Sequence, residues 1–314
     1  MNKQPIILQG FEWCLRNHGQ HWNGLRLAAK SFAAMGITSI WIPPFTKPVQ
    51  LNDGLDEVGY GVYDHWDLGE FDQCGSVRTK YGTKEELIEM INEMHRCGIE
   101  VYGDIIMNHK VGKSGNEELV MAREINKAWR YDQISDSQLI TAYTHFDFES
   151  KKYSDFVWHA DHFTGVDSAG MGEMNEDGSP KRIFLLDGKH WDEETDKHEL
   201  GNFDFLIASD IDLRHPDVQK EFLQWGEWVT KELSLDGYRL DAIKHMNRSF
   251  TSLWLREMRK RLKKPLFTMG EFWSGDLSAN LDYLDKMNDE MSLFDARLHW
   301  NLYSVTKSNG NYDL

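Results

Sequence analysis

Apolar positions along the chain follow two alternating periods. Short apolar runs at Ile6 to Trp13, Ile37 to Ile42, Ile99 to Met107, Gly237 to Leu240, Leu266 to Met269 and Met291 to His299 predict strands. Between them, helical spacing predicts helices over Gly24 to Met35, Thr83 to Cys97, Pro216 to Leu233, Phe250 to Leu262 and Leu277 to Asn288. In the first of these, Leu25, Ala28, Ala29 and Phe32 share a face. Thr83 is placed to cap its helix, with Glu86 in the capping-box position, and Pro43-Pro44 stops the second strand.

Repeated strand–helix units imply a parallel sheet with helices outside it. Chemically functional residues cluster after several different strands: Asp104 to His109, Arg239 to His245, Glu271 and Trp273. That distribution predicts an α/β fold of the (β/α)8 TIM-barrel type, whose site gathers at the C-terminal strand ends. A doubly wound sheet would carry a glycine-rich turn after its first strand, and none is present. Six of the eight βα units of a complete barrel are counted. Residues 110–213 form a long polar stretch rich in Gly, Asp, His and Trp, which predicts an irregular, β-rich inserted subdomain after strand three. The expected division is 1–109 for the first part of the barrel, 110–213 for the insertion, and 214–314 for the barrel continued through strand six.

Composition narrows the partners. Lys+Arg 35 against Asp+Glu 51 gives a net charge of −16, which argues against nucleic acid and anionic membrane as partners and suits a neutral ligand. No run approaches the roughly 20 apolar residues of a membrane span. The start, Met1 to Gln4 running into Pro5 and Ile6, shows no signal-peptide pattern, and Cys14, Cys74 and Cys97 follow no metal-ligand spacing. A cytoplasmic protein without a disulfide framework is expected. The 12 Trp residues are numerous for so polar a chain; exposed rings bind flat apolar faces such as sugar rings, and buried ones only fill a core.

The run Gly237-Tyr238-Arg239-Leu240-Asp241-Ala242-Ile243-Lys244-His245 sends Arg239 and Asp241 to one side of a strand, where the guanidinium would hold Asp241 ionised. Gly270-Glu271-Phe272-Trp273 sets a carboxyl among apolar neighbours, which raises its pKa toward that of a general acid. One anionic and one protonated carboxyl on adjacent strands, about 5 Å apart, is the layout of a retaining glycosidase. The same residues also fit a structural ion pair and a solvated strand end. In Gly103-Asp104-Ile105-Ile106-Met107-Asn108-His109, Asn108 offers a hard oxygen ligand, and Asp192, Asp204, Asp210 and Asp212 of the insertion offer carboxylates. These could clamp a calcium ion between insertion and barrel, or simply be solvated acids. Gly112-Lys113-Ser114 lacks the first glycine of a phosphate loop, and there is neither a Gly-x-Ser-x-Gly elbow nor a His-Glu-x-x-His helix.

Together, the runs Asp104 to His109, Gly237 to His245 and Gly270 to Trp273 resemble the first three of four signature regions of the α-amylase family of glycoside hydrolases, in the family's order. Gln9-Gly10-Phe11-Glu12-Trp13, Gly59-Tyr60-Gly61-Val62-Tyr63-Asp64 and Thr79-Lys80-Tyr81-Gly82-Thr83 further resemble the liquefying and intracellular bacterial members. The resemblance implies endo-hydrolysis of α-1,4-glucan with retention, in carbohydrate metabolism. Asp241 matches the nucleophile, Glu271 the acid/base, and Arg239 the group that keeps Asp241 charged. His109, Tyr60, Lys244, His245, Trp273 and Trp13 match sugar contacts. A structural Ca2+ is implied on Asn108, Asp204, Asp210, the carbonyl of His245 and, with a loop one residue longer, Asp192.

The sequence departs from the family twice. Thr164 stands where relatives carry an aspartate for an accessory sodium, which argues against a multi-metal cluster. The family's fourth region, with a His-Asp pair on the seventh strand, is not found before Asn311-Tyr312-Asp313-Leu314. A truncated chain is therefore expected, lacking two strands and a C-terminal β-sandwich. Three readings follow: a retaining amylase, a glucan-binding remnant without catalysis, or one half of a split enzyme whose second polypeptide completes the barrel.

Overall fold

The computed structural model describes residues 5–49, 58–167 and 181–308; Met1 to Gln4 and Asn311 to Leu314 lie outside them. The chain begins β1 (Ile7–Gln9), α1 (His21–Ala34), β2 (Ser39–Trp41), β3 (Lys47–Pro48), β4 (Val62–Asp64), α2 (Lys84–Arg96) and β5 (Glu100–Ile105). It continues through β6 (His109–Lys110), β7 (Glu117–Glu124), β8 (Gln138–Tyr143), β9 (Phe163–Asp167), β10 (Ile183–Leu186) and β11 (Ser209–Ile211). It then resumes the alternation with α3 (Pro216–Glu232), β12 (Gly237–Leu240), α4 (Arg248–Leu262), β13 (Phe267–Gly270), α5 (Leu277–Lys286), β14 (Ser292–Leu293) and α6 (Ala296–Lys307).

Six strands pair in parallel in the order β1-β2-β5-β12-β13-β14, a barrel-type sheet open between β1 and β14 among the described residues. Every residue of β12 is buried, as expected of a parallel strand covered on both faces. One face packs on the helices through Ile40, Val101, Leu240, Trp225 and Trp254. The other face carries Trp41, Tyr102 and Met269, with Phe11 and Phe294 against them. Gly237 is required where two strands close: a Cβ there would meet the carbonyl oxygen of Phe267 at 2.2 Å.

The helices from α2 to α6 start where a side chain accepts from a first-turn N–H, whereas α1 has no side-chain cap. Thr83 and Glu86 form the predicted capping box of α2. Pro216 opens α3, and Asn247 caps α4 by accepting from the Phe250 N–H at 2.7 Å. Two sequence expectations are revised: Ile6 to Trp13 is strand only at Ile7–Gln9, and Met291 to His299 only at Ser292–Leu293. Asp295 accepts from the Leu298 N–H at 2.8 Å and so starts α6 at Ala296, ending strand geometry two residues after β14.

Residues 109–211 hold a second, antiparallel sheet in the order β6-β11-β9-β10-β7-β8. Its strand β6 lies four residues after β5, and Asp210 pairs with His109 across β11 and β6. The insertion is thereby tied to the C-terminal end of the main sheet.

Candidate active site

Parallel register places the central charges. Arg239 on β12 lies opposite Asp104 on β5 and opposite Met269 on β13, so the residues following β12 and β13, Asp241 and Glu271, emerge side by side. Arg239 Nη1 donates to Asp104 Oδ1 at 2.7 Å and to Asp241 Oδ1 at 2.6 Å, while Nη2 reaches Glu271 Oε2 at 2.8 Å. Trp41 and Tyr60 cover the guanidinium, with ring centroids 5.0 and 5.6 Å away. The same two residues donate to Asp104 Oδ2, Trp41 Nε1 at 3.1 Å and the Tyr60 hydroxyl at 2.8 Å. A planar fork holding three carboxylates suits Arg and not Lys.

Burial is the largest influence on Asp241 and raises its carboxyl; Arg239 pulls it down and Asp104 pushes it up, leaving it above the usual range. The expectation that Arg239 alone would depress it therefore meets an opposing desolvation. Glu271 is raised as expected, by burial first, against Arg239 and with the charge of Asp241. The two carboxyls also influence each other, Glu271 lowering Asp241 and Asp241 raising Glu271. Arg239 Nη2 and the Ala242 N–H, at 3.2 Å, both hold Glu271 Oε2.

The expected sugar contacts surround this centre unevenly. Trp13, 66% exposed, stacks on Tyr60 with ring centroids 5.8 Å apart and planes 15° from parallel. His109 is buried; its Nε2 donates to the Tyr60 carbonyl at 3.0 Å, and its Nδ1 lies 3.4 Å from Asn108 Nδ2. Lys244 Nζ pairs with Glu199 and reaches the Trp273 carbonyl at 3.4 Å, while the Trp273 ring is exposed beside His299 and Trp300. His245 Nδ1 donates to the Phe203 carbonyl at 2.6 Å, and burial lowers its pKa to about 3, so the ring is neutral with Nε2 left as an acceptor.

The residues expected to hold calcium share one buried region. The Asp192 N–H donates to Asp204 Oδ2 at 2.8 Å, Asn247 Nδ2 donates to Asp192 Oδ2 at 2.8 Å, and the Ile211 N–H donates to the Asn108 carbonyl at 2.9 Å. Burial, opposed by the Asp192 N–H and reinforced by the charge of Asp192, pushes Asp204 up to about 8. Burial and the charges of Asp204 and Asp212 push Asp210 well above the usual range, and its Oδ2 is buried without a hydrogen-bond partner. Hard oxygens, crowded negative charge and an orphaned carboxylate atom fit a divalent cation. The carboxylate oxygens of Asp192, Asp204 and Asp210 do not all lie within 4.8 Å of one another; among the His, Cys, Asp and Glu side chains of the described residues, His162, His215 and Asp217 form the group that meets this distance. In that trio His162 Nδ1 accepts from the His159 N–H and His215 Nδ1 from the Asp217 N–H, so both Nδ1 lone pairs are already engaged. Thr164, buried in β9, brings no carboxylate to the region.

Sequence reasoning missed two members of the centre. In the sequence Asp104 stands out only as part of its run, and Trp41 carries no signal of its own. Their role depends on cross-strand register, for which a sequence offers no local signal.

The family profile described as "Alpha amylase, catalytic domain" matches residues 19–313. The chain is 45% identical over 312 residues to a glucan 1,4-alpha-maltohexaosidase of Bacillus sp. strain 707, covering 98% of this chain and 58% of that protein. It is 44% identical over 315 residues to an alpha-amylase of Bacillus licheniformis, covering 100% and 59%. It is 35% identical over 315 residues to the cytoplasmic alpha-amylase of Escherichia coli K12, covering 99% and 62%. An alpha-amylase structure from Malbranchea cinnamomea shares the fold at a TM-score of 0.57 and 17% identity, over 96% of this chain and 52% of that one. The chain thus spans 58–62% of the length of these three curated relatives.

Proposed function

The chain belongs to the α-amylase family of glycoside hydrolases, and on that premise we propose that it cleaves internal α-1,4 bonds of starch-type glucans with retention of configuration. One observation carries the proposal: a single buried guanidinium, Arg239, holds Asp241 and Glu271 on adjacent strand ends. The negative charge of Asp241 raises Glu271, which favours an anion on Asp241 beside an acid on Glu271, the division of labour a double displacement needs. Asp241 attacks the anomeric carbon while Glu271 protonates the departing glycosidic oxygen. Glu271, now a carboxylate, then takes a proton from water as the water displaces Asp241.

Glu271 must turn off Arg239 to reach a glycosidic oxygen, and Trp13, Tyr60, Trp273, Lys244, the His245 Nε2 and His109 are assigned to the flanking sugars. The insertion, 110–213, is assigned as the calcium-binding unit between barrel segments 1–109 and 214–314. Asn108, Asp192, Asp204, Asp210 and the His245 carbonyl would hold a calcium ion there, whose charge would neutralise the acids that otherwise repel one another. The cytoplasm is the proposed location, supported by the E. coli relative's printed name and by Cys14, Cys74 and Cys97 forming no disulfide among the described residues. Among the described residues no helix is long and apolar enough to cross a membrane. The split-enzyme reading draws no support from the relatives, which carry the matching segment within one longer chain.

The test is reducing-sugar release from soluble starch by the purified chain in millimolar calcium, with Asp241→Asn run beside it. Release that disappears in Asp241→Asn supports the hydrolase. Glucan binding without release from either protein would favour the non-catalytic reading.

A further inference from the structure

We infer that Trp129 and Tyr131 form an outlying stacking subsite for the same α-glucan, on the Lys244 side of the cleft; the inference rests on the function proposed above. The pair sits at the tip of a turn between β7 and β8. That turn is closed by the Asn126 N–H on the Asp132 carbonyl at 2.8 Å and the Asp132 N–H on the Trp129 carbonyl at 3.0 Å. Asn126 Oδ1 also accepts from the Ala128 N–H at 2.9 Å. Between the two aromatics, Arg130 is turned inward. Its guanidinium lies over Phe203 and Phe205, its N–H donates to the Leu200 carbonyl, and its carbonyl accepts from Trp191 Nε1 at 2.9 Å. Fixing Arg130 inward leaves its two neighbours outward, and Trp129 and Tyr131 are 51% and 49% exposed.

Trp129 is supported from one side only. A Cβ on Gly201 would come 3.1 Å from Cε3, Cζ3 and Cη2 of the indole, so the ring rests on bare backbone, at a residue whose φ of +77° also favours glycine. The opposite face is not covered by Tyr131, whose ring lies 6.1 Å away at 60° and whose hydroxyl donates to Glu193. An indole pinned flat with a polar neighbour is preorganised for a ligand that is apolar on its face and hydroxylated at its edge, the chemistry of a sugar ring. The net charge of −16 favours such a neutral ligand over an anionic one.

Position links this platform to the centre. Gly201 is two residues from Glu199, whose carboxylate holds Lys244 Nζ, and Lys244 also reaches the carbonyl of Trp273, two residues beyond Glu271. A glucan extending past Lys244 would therefore meet the indole after further sugar units. A short oligosaccharide seated at the centre would not.

The experiment is titration of the full chain, and of its Trp129→Ala, Trp129→Phe and Trp273→Ala variants, with maltotriose and with a long maltodextrin, read by calorimetry. The readout is the ratio of the two affinities. Trp129→Ala should reduce the preference for the long ligand by about tenfold, the size of one lost aromatic contact. Trp129→Phe should retain most of that preference, and Trp273→Ala should weaken both ligands together. An unchanged ratio in a folded Trp129→Ala protein overturns the subsite while leaving the proposed function standing. If the unmodified chain binds neither glucan, the proposed function itself falls, and the subsite with it.

Discussion

Asp104 and Arg239 face each other in the parallel register of β5 and β12, joined at 2.7 Å with almost no contact with water. Through this pair, Trp41 and Tyr60 are connected to the guanidinium that also holds Asp241 and Glu271. Asp104 is therefore a positioning residue: it fixes the angle at which Arg239 presents its remaining N–H groups.

Removing Asp104 takes one of three carboxylates from a buried cation and leaves the Trp41 and Tyr60 donors without their acceptor. Asp104→Ala should lower the unfolding free energy by about 1–3 kcal/mol, the usual cost of leaving buried polar groups unsatisfied. Asp104→Asn keeps an oxygen for Tyr60 or Trp41 and should cost less. Urea unfolding of both variants tests the ordering, and an Asp104→Ala midpoint equal to that of the unmodified chain would refute it.

The acid assignment has a direct titration test. The negative charge of Asp241 is one of the causes that raise Glu271. In Asp241→Asn, Glu271 should therefore titrate at a lower pH, as followed by carboxyl carbon NMR. In the active protein, starch hydrolysis should fall as pH rises through the raised Glu271 pKa, because the acid is lost. It should fall again at low pH as Asp241 takes up a proton. Glu271→Gln should reduce the rate by about 10²–10⁴-fold. An alkaline limb that persists unchanged in a residually active Glu271→Gln protein would assign that limb to another group.

The strand–helix alternation was legible because each element carries its own period and cap. Thr83 and Glu86 announce α2, and Gly237 to Leu240 is the observed β12. Asp241, Glu271 and Arg239 were legible because their spacing and neighbours already define a chemistry. The last strand was overread since Met291 to His299 carries enough apolar positions for either structure, and Asp295 decides for a helix only by capping it. Asp104 and Trp41 stayed hidden because their partners are 135 and 63 residues away, respectively. The Trp129 platform was equally unreadable: the glycine beneath it belongs to a loop 72 residues later in the chain.

Calcium should act through Asp210. Its partnerless Oδ2 and the nearby charges of Asp204 and Asp212 make it a liability in the metal-free protein. A chelator should lower the melting temperature of the unmodified chain, and calcium at about 100 times its Kd should restore about 2.7 kcal/mol of stability. Asp210→Asn should reverse the order: more stable than the unmodified chain in chelator, and indifferent to added calcium. Thermal melts of both proteins in each condition decide it. A calcium response retained by Asp210→Asn would remove Asp210 from the ligand set.

Far from the centre, Asp236 sets an acid limit on stability. Its Oδ2 accepts from the Val101 N–H at 2.9 Å and from His95 Nε2 at 2.8 Å, and its Oδ1 accepts from Lys264 Nζ at 2.6 Å, joining α2, β5 and the loop after α4. Burial pushes this carboxyl up, but the bonds from His95, Lys264 and Val101 together outweigh it and hold the pKa at about 2. In the unfolded chain it returns to about 3.9. The folded-state value is the lower one, so the stabilisation is complete above about pH 4 and is lost as pH falls toward 2. Allowing for its partial exposure, the contribution is about 1–2 kcal/mol. Asp236→Asn should therefore be less stable than the unmodified chain by that amount at pH 7, with the gap closing between pH 4 and 2. Urea unfolding across this range checks it. A gap that stays constant down to pH 2 would mean Asp236 stabilises by packing and neutral hydrogen bonds, not by its charge.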